Sequence, residues 1–434
     1  MISIEELYAI FKNHPSAQTD TRQLKEGDVF FALKGSNFNG NLFAKQALEK
    51  GAAYSIADEP AIVEGSEKII LVDDVLATLQ QLARYHRLQF NNLSRAGGVP
   101  FIAITGSNGK TTTKELIHAV LSSSYKTYTT EGNLNNHIGI PLTILKIKND
   151  AQIAVIEMGA NHQKEIEGYC KYTLPTHGII TNAGKAHLEG FGGTEGVKKG
   201  KGELYDFLRT TKGTAFVMWD YDYLRSMSHG ISKIIKYGTA DADVTGNVTK
   251  SEPFLKVEMT HGSSIKEIST QLVGEYNLPN ILSAVAVGKY FEVPDEKIKS
   301  AIENYSPSNS RSQLIEKGSN KIILDAYNAN PSSMKAAIEN FAKLKADKKI
   351  LMLGAMAELG DQSLEEHKNI IELIKKYPWQ DVILVGGNFL RLPNPYKTFE
   401  TSIEAKEWLQ KENFQNAYFL IKGSRSMQME KVLG

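Results

Sequence analysis

At 434 residues the chain is longer than one ordinary domain, and two or three domains of about 100–200 residues each are expected. Its 50 basic and 49 acidic residues leave it near neutral, which excludes a global field that would recruit nucleic acid or an anionic membrane. The lone Cys170 excludes an intramolecular disulfide and a thiolate metal cage, and fits a reducing compartment.

The opening stretch MISIEELYAIFKNHPS carries glutamates and predicts an amphipathic helix, without the basic and apolar regions of a signal peptide. No apolar run approaches the roughly 18 residues of a membrane span, so a cytoplasmic protein with no membrane insertion is expected. Short apolar runs then alternate with helical patterns, the signature of an α/β fold with largely parallel sheets. In a first block, to about Gly98, DVFFAL and KIILV predict strands. VLATLQQLARYH predicts a helix with Leu76, Leu79, Leu82 and Ala83 on one face. SRAGGVP (Ser94–Pro100) has linker composition.

A second block opens with strand PFIAIT, a glycine loop, and a helix whose apolar face is Leu116, Ile117, Val120 and Leu121. QIAVIEMG and HGIITNAG predict further strands, and the alternation in FLKVEM predicts a local antiparallel section. YSPSNSRSQ (Tyr305–Gln313) is the next hinge. The third block repeats strand–helix units, with strands KIILDAY, KILMLG, DVILVGG and AYFLIKG. The blocks are 1–97, 98–308 and 309–434, with no short internal repeat or low-complexity segment.

The stretch AITGSNGKTTTKE (Ala103–Glu115) places glycines, a lysine and hydroxyls between a strand and a helix. Backbone N–H groups and the helix dipole then converge on one point, which favours phosphate. Lys110 would reach the terminal phosphates and the Thr111 hydroxyl an associated magnesium ion. The spacing is not the common G-x-x-x-x-G-K-[ST], because Ile104 stands where a glycine belongs and the loop uses Gly106 and Gly109. Glu157, ending a strand in IEMGANH, offers a carboxylate for a metal beside the phosphates. His187 lies in the loop TNAGKAHLEGFG, where a histidine alone is more often structural or exposed than functional. Lys201, between glycines in KKGKGELYD, reads by itself as a solvated lysine.

These stretches, with GNLNNHIGIPLT (Gly132–Thr143), DAYNANPSSMKAA (Asp325–Ala337), LGAMAELG and IKGSRSMQMEKVL, follow in one order along essentially the whole chain. They resemble the Mur ligase family, the ATP-dependent enzymes that extend the peptidoglycan stem peptide. TGSNGKTTTKE is similar to that family's shortened phosphate loop, which accounts for the glycine spacing. YNANPSSM together with KGSR resembles the branch that joins D-alanyl-D-alanine to UDP-MurNAc-tripeptide.

The resemblance implies three domains: a smaller N-terminal α/β domain for the UDP-MurNAc-peptide, a central P-loop ATPase with a mostly parallel sheet, and a C-terminal Rossmann-like domain for ATP and D-alanyl-D-alanine. It implies ATP as substrate, Mg²⁺ in two sites, an acyl-phosphate intermediate and a monomer. ATP would be held by Gly106, Asn108, Gly109, Lys110, Thr111, Thr112, Asn136, Asn280, Arg311 and Asp325. Thr111, Glu157 and His187 would be the metal ligands. Lys110, His187 and Lys201 would be catalytic, with Lys201 carbamylated so that a cation becomes an anion. Thr21 and Arg22 would hold the uridine nucleotide; Tyr327, Asn328, Ser424 and Arg425 would receive the dipeptide, Arg425 at its carboxylate.

The chain departs from the family pattern at Tyr276, where histidine is usual, at Asn39-Gly40-Asn41, where D-G-H is usual, and before Arg311, where a glycine is missing. Two alternatives stand beside this reading: a sister ligase adding another amino acid, and a nucleotide-binding regulatory protein without ligase activity. YNANPSSM and KGSRSM argue against the first, and the combination of Glu157, His187 and Lys201 against the second.

Overall fold

Each block of apolar runs builds its own sheet. The computed structural model describes residues 2–63, 65–92, 98–307 and 310–434, and its three main sheets, of four, nine and six strands, belong to three successive α/β domains. Parts of both linkers, residues 94–97 and 308–309, lie outside the described residues.

The N-terminal sheet is parallel, in the order Ala17–Gln18, Val29–Phe31, Tyr54–Ala57, Ile69–Leu71. The first helix, Ile4–Asn13, starts at a capping box in which Ser3 and Glu6 satisfy each other's backbone N–H, and it buries Leu7 and Phe11. Helix Val75–Gln89, capped by Asp74, buries Leu79, Leu82 and Ala83. The same helix ties the first domain to the second. Its Arg87 is 2% exposed and donates to the carbonyls of Thr173 and Leu174 and to Asn91 Oδ1, with the guanidinium 3.9 Å from the Phe101 ring centroid. A buried charge is tolerated there because oxygens surround it.

In the central sheet the strands run Glu267–Ser269, Lys256–His261, Val244–Lys250, Lys233–Gly238, Thr214–Met218, His177–Ile180, Phe101–Thr105, Ile153–Glu157, Thr127–Thr129. Every residue of Phe101–Thr105 is buried, as expected for a parallel strand covered on both faces. After that strand the chain passes through helix Lys110–Ser122 to the edge strand Thr127–Thr129, returns along Ile153–Glu157, and then crosses to His177–Ile180 on the other side. The direction of strand order reverses beside Phe101–Thr105, which opens a crevice at its carboxyl end. Lys256–His261 pairs antiparallel with both neighbours, as the FLKVEM alternation predicts.

The C-terminal sheet runs Gln313–Lys317, Asn320–Asp325, Tyr418–Lys422, Lys349–Gly354, Asp381–Val385, Lys397–Phe399, parallel except for its first pair. Asp325 and Lys422 end adjacent strands in direct register. Among the described residues no helix is long and apolar enough to cross a membrane.

Candidate active site

The crevice beside Phe101–Thr105 is closed over by the C-terminal domain into a cleft of about 770 Å³. Its floor is the phosphate loop. Gly106 has φ +144°, and a Cβ there would collide with Thr181 Oγ1; Gly109, φ +80°, would place a Cβ 2.7 Å from Asn280 Oδ1. Only glycine allows the chain to turn that tightly into helix Lys110–Ser122. The segment Thr181–Gly184 braces the loop from the side. Ser107 N donates to Asn182 O (2.9 Å), Asn108 N to Asn182 Oδ1 (3.0 Å), and Thr181 Oγ1 to Asn108 O (2.6 Å). Lys110 folds back, its Nζ donating to Gly106 O over 2.8 Å. Desolvation lowers its pKa, the Glu157 carboxylate opposes this, and the Arg311 cation adds to it.

Glu157, at the end of its strand, is 1% exposed. Its Oε1 accepts from Thr111 Oγ1 (3.2 Å) and Asn135 Nδ2 (2.8 Å), whereas Oε2 is buried without a partner. A bare carboxylate oxygen next to a phosphate-loop hydroxyl suits a hard divalent cation. Among the described residues no three His, Cys, Asp or Glu side chains form a ready metal cage. A cation at Glu157 would therefore complete its shell with hydroxyl, phosphate and water oxygens, the habit of Mg²⁺.

His187 lines the same cleft in a left-handed conformation, φ 51°, but its Nδ1 lies 2.5 Å from Glu358 Oε2 of the C-terminal domain. Lys201 lies behind the wall of the cleft, on helix Thr194–Thr211, fully buried. Its Nζ donates to Ala160 O over 2.9 Å and sits 4.8 Å from the Phe191 ring centroid. Burial pushes this amine well below the usual lysine range; the nearby Lys110 adds to the effect, and Glu165 and Glu203 oppose it. Burial thus favours the uncharged form of this amine relative to a solvated lysine.

At the other end of the cleft, Asn280 accepts from Thr113 Oγ1 (3.0 Å) and donates to Asn277 Oδ1 (2.8 Å). The Tyr276 hydroxyl and Ser312 Oγ share a hydrogen bond at 3.0 Å, and burial raises that phenol's pKa. Arg311 stacks its guanidinium 3.6 Å from the Tyr327 ring centroid. Asp325 receives Lys422 Nζ at 2.6 Å, and Lys422 is 2% exposed. Thr112, Asn136, Tyr327 and Asn328 also line the cleft. Asn136 uses its Oδ1 to accept from Ile138 N and Gly139 N at the start of helix Gly139–Leu145.

Six of the sequence-predicted residues are not among those lining the cleft: Gly106, Lys201, Thr21, Arg22, Ser424 and Arg425. Ser424 is buried and donates to Ala355 O (2.6 Å); Arg425 is exposed and pairs with Glu430 (2.9 Å). Thr21 and Arg22 form a turn of the N-terminal domain in which Arg22 binds Asp20 at 2.7 Å. Asn39 and Asn41, where the family pattern is broken, are tied to Glu59 (2.9 Å) and Asp58 (2.8 Å). Conversely, sequence reasoning missed Asn135, Asn182, Glu358 and Lys422. All four lay inside stretches already singled out, but which residue of each stretch reaches the site follows only from strand register and domain docking.

Three family models match in succession: "Mur ligase family, catalytic domain" over residues 17–87, "Mur ligase middle domain" over 104–288, and "Mur ligase, glutamate ligase domain" over 310–424. A Bacillus subtilis (strain 168) protein named UDP-N-acetylmuramoyl-tripeptide–D-alanyl-D-alanine ligase is 36% identical, over 96% of this chain and 91% of its own. The protein of the same name from Escherichia coli (strain K12) is 34% identical, over 96% and 92%. The crystal structure of MurF from Acinetobacter baumannii has a TM-score of 0.86 at 32% identity, covering 96% of this chain and 92% of that one. The MurF ligase of Thermotoga maritima in complex with ADP gives 0.85 at 27%, covering 96% of each. With likeness extending over nearly the whole of both partners and over all three domains, the chain belongs to the Mur ligase family.

Proposed function

We propose that this chain is the ligase that joins D-alanyl-D-alanine to UDP-MurNAc-tripeptide with cleavage of ATP to ADP and phosphate, giving the pentapeptide precursor of peptidoglycan. One observation carries the reading: the phosphate loop, Glu157 and the Tyr327–Asn328 turn face one cleft although they come from two domains. The named relatives favour this reading over a sister ligase.

The reaction brings two anions together, the tripeptide carboxylate and the γ-phosphate of ATP, so positive charge has to offset their repulsion. Lys110 leaves the Gly106 carbonyl for the phosphates, and Gly106, Asn108, Gly109 and Thr112 surround them with the helix N-terminus. Asn280 meets the adenine, Asp325 the ribose, and Arg311 the phosphates. Thr111 and Glu157 are the residues that would hold Mg²⁺, with His187 serving a second ion once its imidazole leaves Glu358; bound there, Mg²⁺ supplies charge neutralisation. A carboxylate oxygen attacks the γ-phosphorus and ADP departs. The dipeptide amine then attacks the acyl phosphate, and phosphate leaves as the amide forms.

Lys201 fits carbamylation because burial lowers its pKa and favours the unprotonated amine: nitrogen adds to CO₂, a proton is released, and a carboxylate forms beside Ala160 at the cleft wall. Thr21 and Arg22 hold the uridine nucleotide, and Tyr327, Asn328, Ser424 and Arg425 the dipeptide, the last pair after movement of the C-terminal segment. Domain limits at 97/98 and 308/309, a monomer, and a cytoplasmic location where ATP is supplied belong to the same proposal. The test is ADP release from purified protein. Release that requires both UDP-MurNAc-tripeptide and D-alanyl-D-alanine supports the reading; ATP turnover indifferent to both overturns it.

A further inference from the structure

We propose that Lys185 and Glu366 form a latch that holds the C-terminal domain docked on the phosphate loop, which makes Glu366 a positioning residue for the reaction. The segment Thr181–Glu189 has two working sides. One side grips the phosphate loop through Thr181 and Asn182, as described above. The other grips the C-terminal domain: Lys185 N donates to Ser332 Oγ (2.9 Å), and Lys185 Nζ lies 2.6 Å from Glu366 Oε1. Only three positions separate Asn182 from Lys185. A displacement of the C-terminal domain is therefore carried directly to the loop that holds the nucleotide.

The burial of the pair is lopsided. The Glu366 side chain is 8% exposed and that of Lys185 46%. A carboxylate taken that far out of water needs a partner, and it finds its cation on the other domain. When the domains part the pair is broken, so its attraction acts only in the docked state. The neighbouring His367 stiffens the same helix, Ser363–Ile374. Its Nε2 accepts from Met356 N at 3.0 Å and its Nδ1 donates to Ser363 O at 2.6 Å. That fixes the turn bearing Glu358, the residue that meets His187. Asn330 Nδ2 donating to Asn108 Oδ1 (2.7 Å) adds a further contact between the domains, aimed at the phosphate loop itself.

The kinetic part of the test rests on the ligase reading; the scattering part does not. Lys185→Met and Glu366→Gln are compared with the reversed pair Lys185→Glu/Glu366→Lys, each checked for native circular dichroism and thermal unfolding. With a non-hydrolysable ATP analogue, the single variants should give a larger radius of gyration than the parent, and the reversed pair a parent-like value. In turnover the single variants should lose about 10-fold in kcat/KM for ATP, because Arg311 and Asp325 move with the C-terminal domain, and the reversed pair should recover most of the loss. Parent-like scattering in both single variants, or a reversed pair no better than either, overturns the latch. Absence of ligation in the parent as well as in every variant would count against the enzyme assignment and leave the scattering comparison to decide the latch.

Discussion

Thr111 donates its hydroxyl to Glu157 across 3.2 Å, joining the first turn of the phosphate-loop helix to the end of the neighbouring strand. Asn135 occupies the same carboxylate oxygen, and the other oxygen stays buried and bare. A buried carboxylate oxygen without a partner is costly, and it persists at positions where a ligand supplies the partner. Glu157→Gln keeps the shape and the two hydrogen bonds but removes the charge. The expected outcome is a folded protein in which ADP release falls roughly 100-fold and more Mg²⁺ is needed for half-maximal rate. An unchanged Mg²⁺ titration would remove Glu157 from the site.

Lys201→Ala should lose activity roughly 100- to 1000-fold, and added formate or acetate should restore part of it by replacing the missing carboxylate. Full activity in the alanine variant would exclude Lys201 from the chemistry.

The same lysine has a stability consequence with a definite sign. Its folded-state pKa is depressed, so between that value and the unfolded value of about 10.4 the unfolded chain binds the extra proton, and stability rises with pH across that window. In buffer stripped of CO₂, Lys201→Met should melt above the parent near neutral pH, with the advantage shrinking as the pH approaches 10. A lower melting temperature for the methionine variant at pH 7 would show that burial does not depress the Lys201 pKa.

His177 is 8% exposed beside Thr176 and Tyr290, and burial, with Lys233 adding, pushes its pKa down to about 4. Above an unfolded value of about 6.5 the residue is neutral in both states; as the pH falls toward 4 only the unfolded chain is protonated, and stability is lost. The loss attributable to this residue is roughly 3 kcal/mol. Chemical denaturation midpoints followed from pH 7 to pH 4 should fall less steeply for His177→Gln than for the parent; equal slopes would show that His177 is not the group responsible.

Lys422 holds Asp325 from the adjacent strand while almost wholly buried. Removing the cation leaves that carboxylate uncompensated and free to turn. Lys422→Met should raise KM for ATP about 10-fold while kcat changes much less, and the preference for ATP over its 2′,3′-dideoxy analogue should shrink. A variant with parent-like discrimination would show that Asp325 is oriented without Lys422.

Much of the architecture was legible because it rests on local pattern. Apolar runs locate Phe101–Thr105, Ile153–Glu157, Asn320–Asp325 and Lys349–Gly354 to within a residue or two, and the 3.6-residue period locates helix Lys110–Ser122. The phosphate loop was legible for the same reason: strand, glycines, lysine and helix are consecutive. What escaped depends on distant parts meeting. Asn135 and Asn136 are neighbours in an irregular turn, and no period tells which one reaches Glu157. The pairing of Lys422 with Asp325 follows from strand register, and that of His187 with Glu358 from domain docking. A lysine between glycines suggests a solvated surface; Lys201 is instead buried because Gly200, with no side chain, lets the Phe191 ring close against the helix.

In the proposed reaction the cleft brings the tripeptide carboxylate onto the γ-phosphorus of ATP. Tripeptide substrate labelled with ¹⁸O in its terminal carboxylate tests this directly, by mass spectrometry of the inorganic phosphate released on ligation. The account predicts one ¹⁸O atom in each phosphate, carried over through the acyl phosphate. Phosphate free of the label, with amide bond formed, would contradict it.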